Sequence, residues 1–261
     1  MRWRISSFLV GSTRAMQATG TDYTEFLAAA EAEDFNVLAY NGEDKTTKKL
    51  FANFTKRMRD EEGVKFVTVL HDHAEADHEG VISVGTAQEL VYWVAGAAAG
   101  AEVNESLTNV LYDGEYEVSA KMKKSEYIKG IEAGQFLFYE EGGEVRVLRD
   151  INSFTSFEAA KNSDFSSNRV VRVLDSIAND VANIFSRYYL GKQSNNANGR
   201  NLLKAEILAY HEELMKIEAI EQFTADDITV EKGAEKQDVV IYESVQPVDA
   251  MEKLYMKVEV V

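Results

Sequence analysis

The sequence predicts a mixed α/β fold, α+β overall: an α/β sheet domain over residues 1–150, then a smaller α+β domain over residues 151–261 with two long helices on a sheet. Three observations carry this expectation. Apolar strand-like runs alternate with helix-spaced segments from residue 21 to about residue 100. A Glu-Gly-Gly-Glu turn at residues 141–144 separates two alternating runs, which marks a hairpin. Beyond residue 150 two long apolar stripes at helical spacing are followed by strand-like runs.

Taken in order, "TDYTEFLAAAEAED" reads as a helix opening on Thr21 or Asp22, and "FNVLAY" (35–40) as a short apolar strand. Leu50, Phe51, Phe54 and Met58 recur at helical spacing. That segment stops at Gly63, which takes positive φ without steric cost and so suits a helix C-terminus. "VKFVTVL" (64–70) and "VISVG" are further strands, and Thr86 with Glu89 forms a T-x-x-E capping box opening a helix through "ELVYWVAGAAAGA". Strands separated by helices imply a largely parallel sheet, because parallel neighbours need a crossover between them. "SEYIKGIEAG" reads as a short helix, and "QFLFYEEGGEVRVLRDI" supplies the hairpin. Val170, Val173, Leu174, Ile177, Val181, Ile184, Phe185 and Tyr188 make one stripe ending at Gly191. Leu203, Ile207, Tyr210, Leu214 and Ile217 make the second, after the polar loop "KQSNNANGR". "DITVEKG", "DVVIYESV" and "EKLYMKVEVV" are expected to form the sheet beneath them.

Composition excludes several functions. At 45% apolar residues the 261-residue chain can fill a core, and with no cysteine it has neither disulfides nor thiolate metal sites. The longest apolar stretch, "LVYWVAGAAAGA", falls short of the roughly 20 residues that span a bilayer. A net charge of −16 argues against nucleic acid and anionic membranes, whose phosphates are bound through clustered Lys and Arg. One proline and no low-complexity tract imply that two domains would be joined tightly. "GSTRAMQATG" lacks the Gly-Lys-Ser/Thr ending of a phosphate-cradling loop, and neither G-x-G-x-x-G after a strand nor G-x-S-x-G occurs.

One stretch asks for chemistry. "HDHAEADHEG" (71–80) holds three of the chain's four histidines at a strand end. It resembles the H-x-H-x-D-H metal loop of metallo-β-lactamase-like hydrolases, in which imidazoles and a carboxylate hold zinc and leave a position open for water. There the aspartate and the last histidine follow the first histidine by four and five positions; here Asp77 and His78 follow His71 by six and seven. Such an enzyme also needs further histidines downstream, and only His211 remains, beside a helical stripe where a surface or half-buried ring is expected. A hydrolase built on His71, His73, Asp77 and His78 would bind stoichiometric zinc and lose activity on His73→Ala. The competing expectation is a solvated polar loop with no metal site and no catalytic residue.

The chain closes on a strand pattern with Leu254, Met256, Val258 and Val260 on one face. Such a strand either completes its own sheet or adds to the edge of a neighbouring copy, since an unpaired edge offers main-chain hydrogen bonds. Repeated head to tail, the second contact builds an open helical polymer.

"EGVISV" (79–84), "WVAGAAAGAEVNESLTN" (93–109), "DINSF" (150–154), "NRVVRVLDSIANDV" (168–181), "YYLGKQSNNANGR" (188–200) and "VQPVDAMEKLYMKVEV" (245–260) together resemble the contractile tail sheath proteins of bacteriophages. The similarity is to the type found in prophages and phage-tail-like bacteriocins of Gram-positive bacteria, and it runs from about residue 20 to the end. The resemblance implies a non-enzymatic subunit that needs no cofactor or metal. Such subunits stack as hexameric rings around an inner tail tube, adjoin a baseplate and contract to drive the tube through a target envelope. It implies a place in the virion tail or a phage-tail-like particle, and in the bacterial cytoplasm during assembly. Leu254, Met256, Val258 and Val260 would be the subunit-linking strand, and Arg169 and Arg172, at the start of a tube-facing helix, could meet an acidic tube surface. The alternative for these arginines is ion pairing with Asp164, Asp175 or Glu158. Full-length family members begin with an N-terminal arm and further sequence that "MRWRISSFLVGSTR" does not show, so a natural truncation or an engineered fragment is expected.

Overall fold

A computed structural model describes residues 18–259, leaving "MRWRISSFLVGSTR" and Val260 outside the described residues. The chain divides into two compact units, the first running to Val171 and the second starting at Arg172. The sequence placed the division at 150/151.

The first unit begins with helix α1 (Gly20–Ala30), where the Asp22 carboxylate accepts from the backbone N–H and hydroxyl of Thr19 at 2.7 and 2.8 Å. Strand β1 (Val37–Tyr40) leads to α2 (Lys45–Asp60), whose N-cap Asp44 accepts from the Thr47 N–H at 2.7 Å. After Gly63, at φ +74°, come β2 (Val67–His71) and β3 (Val81–Val84), then α3 (Leu90–Gly100), α4 (Lys124–Glu132) and the short β4 (Gln135–Phe136). These four strands form one parallel sheet in the order β1-β2-β3-β4. The α/β arrangement expected from the alternation is therefore the observed one.

Side-chain alternation distributes two cores to the two faces of the sheet. Val69, Ile82, Val84 and Phe136 meet Leu90, Val91 and Val94 of α3. Leu38, Leu70 and Val81 meet Leu27 of α1 and Phe51, Phe54 and Met58 of α2. On that second face Thr55 donates its hydroxyl hydrogen to the Phe51 carbonyl, so in the 2.6 Å contact between Thr55 and Thr68 it is Thr68 that donates.

β5 (Phe138–Glu141) and β6 (Glu144–Val147) make the expected antiparallel hairpin. Gly142 and Gly143 both have positive φ, +62° and +87°, as a two-residue turn matching strand twist requires. The Thr86–Glu89 capping box does not form. Thr86 Oγ1 instead accepts from the Phe138 N–H at 2.9 Å, tying β5 to the loop after β3, and α3 starts a residue beyond Glu89 with no side-chain cap. Tertiary pairing has taken the hydroxyl that local spacing assigned to the helix.

The "DINSF" stretch returns the chain to the sheet. Ser153 N–H donates to the Val81 carbonyl at 2.8 Å. Buried Asp150 accepts from the Leu107 N–H at 3.0 Å and from the Asn168 amide at 2.8 Å, fixing the first residue of helix α5 (Asn168–Ile184). The division between the units falls within α5.

In the second unit α5 ends in a π-turn at Phe185–Tyr189, and the loop leads to α6 (Ala197–Lys216), where N-cap Asn196 accepts from the Gly199 N–H at 2.9 Å. Leu203, Ile207 and Leu214 are buried, whereas Tyr188 and Ile217, counted into the stripes, are exposed. His211 is fully buried, against the expectation of a surface or half-buried ring: it lies on the Leu203–Ile207–Leu214 face and stacks on Phe223 at 4.0 Å. β7 (Ile228–Lys232) and β8 (Val239–Glu243) pair antiparallel, and the chain beyond β8 bridges Pro247 to Ile220. Among the described residues the expected third strand does not form: residues 249–259 carry no strand. Among the described residues no helix is long and apolar enough to cross a membrane.

Candidate functional site

The residues singled out as a metal set are held apart, each by partners of its own. His71, at the end of β2, places Nδ1 2.6 Å from Glu43 Oε1. His73 is buried and its backbone N–H donates to Ser83 Oγ at 2.8 Å; burial pushes its ring's pKa below the ordinary value, against the pull of Glu75. Asp77 sits at φ +46° and accepts from the Thr155 N–H at 2.7 Å, the Thr155 hydroxyl at 3.2 Å and the Ser156 N–H at 3.0 Å. Burial opposes its ionisation, but the bonds from Ser156 and Thr155 outweigh that and hold its pKa below the usual carboxylate value.

His78 shows its tautomer. The Gly80 N–H donates to Nδ1 at 3.0 Å, so in the neutral ring the hydrogen is on Nε2, which faces the Asp60 carboxylate at 3.2 and 3.3 Å. Burial pushes the His78 pKa down, with Glu79 and Asp60 opposing it. Among the described residues the one group of three whose ligand atoms approach within 4.8 Å is Asp60, His78 and Glu79, which shares only His78 with the expected set. Cations already serve its carboxylate: Lys161 donates to Glu79, and Arg59 Nη2 lies 3.9 Å away. Burial works against ionised Glu79, yet His78, Lys161 and Arg59 keep its pKa below normal.

This turn is therefore not the solvated loop that its composition suggested. Ser153 Oγ bridges the His78 backbone, 3.2 Å from its N–H and 3.1 Å from its carbonyl, and with the Asp77 bonds it fastens residues 77–80 to residues 153–156. The fastening joins positions 75 to 79 residues apart, which no local spacing rule reveals. What could have pointed to it is "DINSF" itself, whose Asp, Asn and Ser are all buried.

The segment expected to link subunits has a different character. Leu254, Met256 and Val258 are exposed at 89, 77 and 71%, and Val260 lies outside the described residues. Met251 and Tyr255 are likewise uncovered. The hairpin β7–β8 is a two-stranded sheet, and each strand keeps one edge without a strand partner among the described residues. Arg169 and Arg172 lie one turn apart at the start of α5, both half-buried and both engaged in interactions of their own.

Two family models account for most of the chain: the phage tail sheath protein central domain over residues 16–153, and the phage tail sheath C-terminal domain over residues 160–261. The chain belongs to the phage tail sheath protein family. Among particular relatives, it is 36% identical to the phage-like element PBSX protein XkdK of Bacillus subtilis, over 92% of this chain and 56% of that one. It is 28% identical to the tail sheath protein of Clostridium phage phiCD119, over 82% of this chain and 61% of that one. The crystal structure of a sheath tail protein from Desulfitobacterium hafniense matches with a TM-score of 0.84 at 42% identity, over 93% of this chain and 60% of that chain. The chain thus spans somewhat more than half the length of the relatives it matches.

Proposed function

We propose that the chain is a non-enzymatic structural subunit of a contractile phage-type tail sheath. Copies polymerise as stacked hexameric rings around an inner tail tube, above a baseplate, and contraction drives the tube through a target envelope. The observation that carries the reading is the apolar run at 251–258, uncovered in a chain whose C-terminal sheet has two strands among the described residues. A two-stranded hairpin is marginal in water and gains main-chain hydrogen bonds from an added strand. On this reading Leu254, Met256, Val258 and Val260 supply that strand to a neighbouring copy, and Arg169 and Arg172 belong to the helix nearest the tube. Residues 1–150 and 151–261 are then the two sheath domains, and the sheath of a phage tail or phage-tail-like particle is the site of action.

The family membership and the occupied turn at 77–80 both favour this over a zinc hydrolase. Negative-stain electron microscopy of the full chain at high concentration, beside a version lacking residues 251–261, tests it. Rings or tubes that vanish with the deletion are the expected result. Assemblies that persist without the segment would remove the linking strand from the account.

A further inference from the structure

We propose that the second unit carries a binding site for a small amphipathic anion, an alkyl or aryl body bearing one carboxylate, in the cavity that the loop "YYLGKQSNNANGR" forms with the turn of the hairpin β7–β8. The inference goes beyond the sheath reading and does not depend on it.

The walls are fixed by the loop's own bonds. α5 closes on its π-turn, in which the Leu190 N–H donates to the Phe185 carbonyl at 2.9 Å. Asn195 then ties the loop to the hairpin, its amide donating to the Lys236 carbonyl at 3.0 Å and to the Asp238 carbonyl at 2.7 Å. Gly199, in the first turn of α6, lets the loop pass close by, since a Cβ there would run into the Ser194 carbonyl oxygen. The cavity between these elements measures about 490 Å³, within the range of small-molecule sites.

Its lining is divided between apolar surface and charge. Phe185, Leu190, Leu203 and Val239 supply the first, Arg200 and Lys236 the second. Arg200 donates from Nη1 to Asn195, at 2.9 Å to Oδ1 and 3.5 Å to the carbonyl. Among the described residues its Nε and Nη2 have no partner, and these two nitrogens form an edge that can hold a carboxylate through two parallel bonds. The Lys236 ammonium likewise has no partner among the described residues. With 44 acidic residues to 28 basic ones the chain has carboxylates in excess, yet neither cation takes one.

The surrounding charge limits what the cavity can accept. Asp238 accepts from the Glu235 N–H at 2.9 Å, and Glu206 acts on Tyr189, whose pKa is raised by burial first and by that charge second. A net charge of −16 with these carboxylates nearby repels a dianion such as a phosphate monoester more strongly than a monoanion. The apolar half of the lining calls for a hydrocarbon body on the same molecule.

Equilibrium dialysis of the full chain against 4-phenylbutyrate and its neutral amide tests the site. The expected result is saturable binding of one acid per chain, with the amide about tenfold weaker, because it lacks the charge that Arg200 and Lys236 meet. Arg200→Gln should weaken the acid about tenfold and Lys236→Gln about threefold, with little change for the amide. No saturable binding of the acid up to about 10 mM, equal binding of acid and amide, or an acid affinity that Arg200→Gln and Lys236→Gln leave unchanged would each overturn the site. Arg200→Gln releases Asn195 and could fail to fold; the acid–amide comparison on the parent chain and Lys236→Gln, an exposed and unpartnered position, then decide the matter.

Discussion

The sheet of the first unit and the hairpin of the second treat their strands in opposite ways. β2 and β3 have strand neighbours on both sides and helices on both faces, so Val69, Ile82 and Val84 are almost wholly buried. β7 and β8 pair only with each other among the described residues, and the following run leaves Leu254, Met256 and Val258 in solvent. The histidines repeat the contrast. His78 has each ring nitrogen facing a complementary group, whereas His211 places Nδ1 on the Ile207 carbonyl and leaves Nε2 without a hydrogen-bond partner, 3.5 Å from Glu243 Oε2. The lesson is that strand pattern and burial need not coincide: the first unit buries the central strands of its sheet, whereas the second leaves the apolar run at 251–258 exposed.

Substitutions can break or sharpen this contrast. The largest effect is expected at Phe136, fully buried on the α3 face of the sheet: Phe136→Ala should cost about 4 kcal/mol in urea unfolding followed by tryptophan fluorescence. Trp93, 5.5 Å from Phe138, reports on that core. Next comes Asp150→Ala, which strands the buried Leu107 N–H and Asn168 amide and should cost about 3 kcal/mol in the same measurement.

A smaller effect should appear in acid. The Asp77 pKa is lowered in the folded chain, so its contribution is present above the free carboxylate value, about 3.9, and is lost as pH falls through the folded value. In Asp77→Asn the loss of stability on acidification below about pH 4 should be shallower than in the parent. The smallest effect on stability is expected at Leu254→Asp, within about 0.5 kcal/mol, because an exposed side chain loses no packing. A cost comparable to that of Phe136→Ala would mean that the segment is covered within its own chain.

Much of the first unit was legible because its signals are local. The apolar runs "FNVLAY" and "VISV" and the paired glycines at 142–143 each depend on neighbours a few positions away, and each became the expected element. The polar turn was misread because its partners lie far along the chain: composition gave Asp77 to solvent, whereas Thr155 and Ser156 claim it. Thr86 and His211 were misread for the same reason, one captured by β5 and the other buried against Phe223 and β8. The terminal strand pattern was legible as a pattern, yet a strand exists only with a partner, and residues 249–259 have none within the described chain.

The central claim is that this uncovered run joins one copy to the next. Sedimentation velocity over a range of concentrations, comparing the chain with a variant carrying Leu254→Asp, Met256→Asp and Val258→Asp, tests it most directly. The account predicts concentration-dependent growth of the parent, absent from a variant of unchanged thermal stability. Growth that the three aspartates leave intact, or a parent that stays a single species throughout, would contradict it.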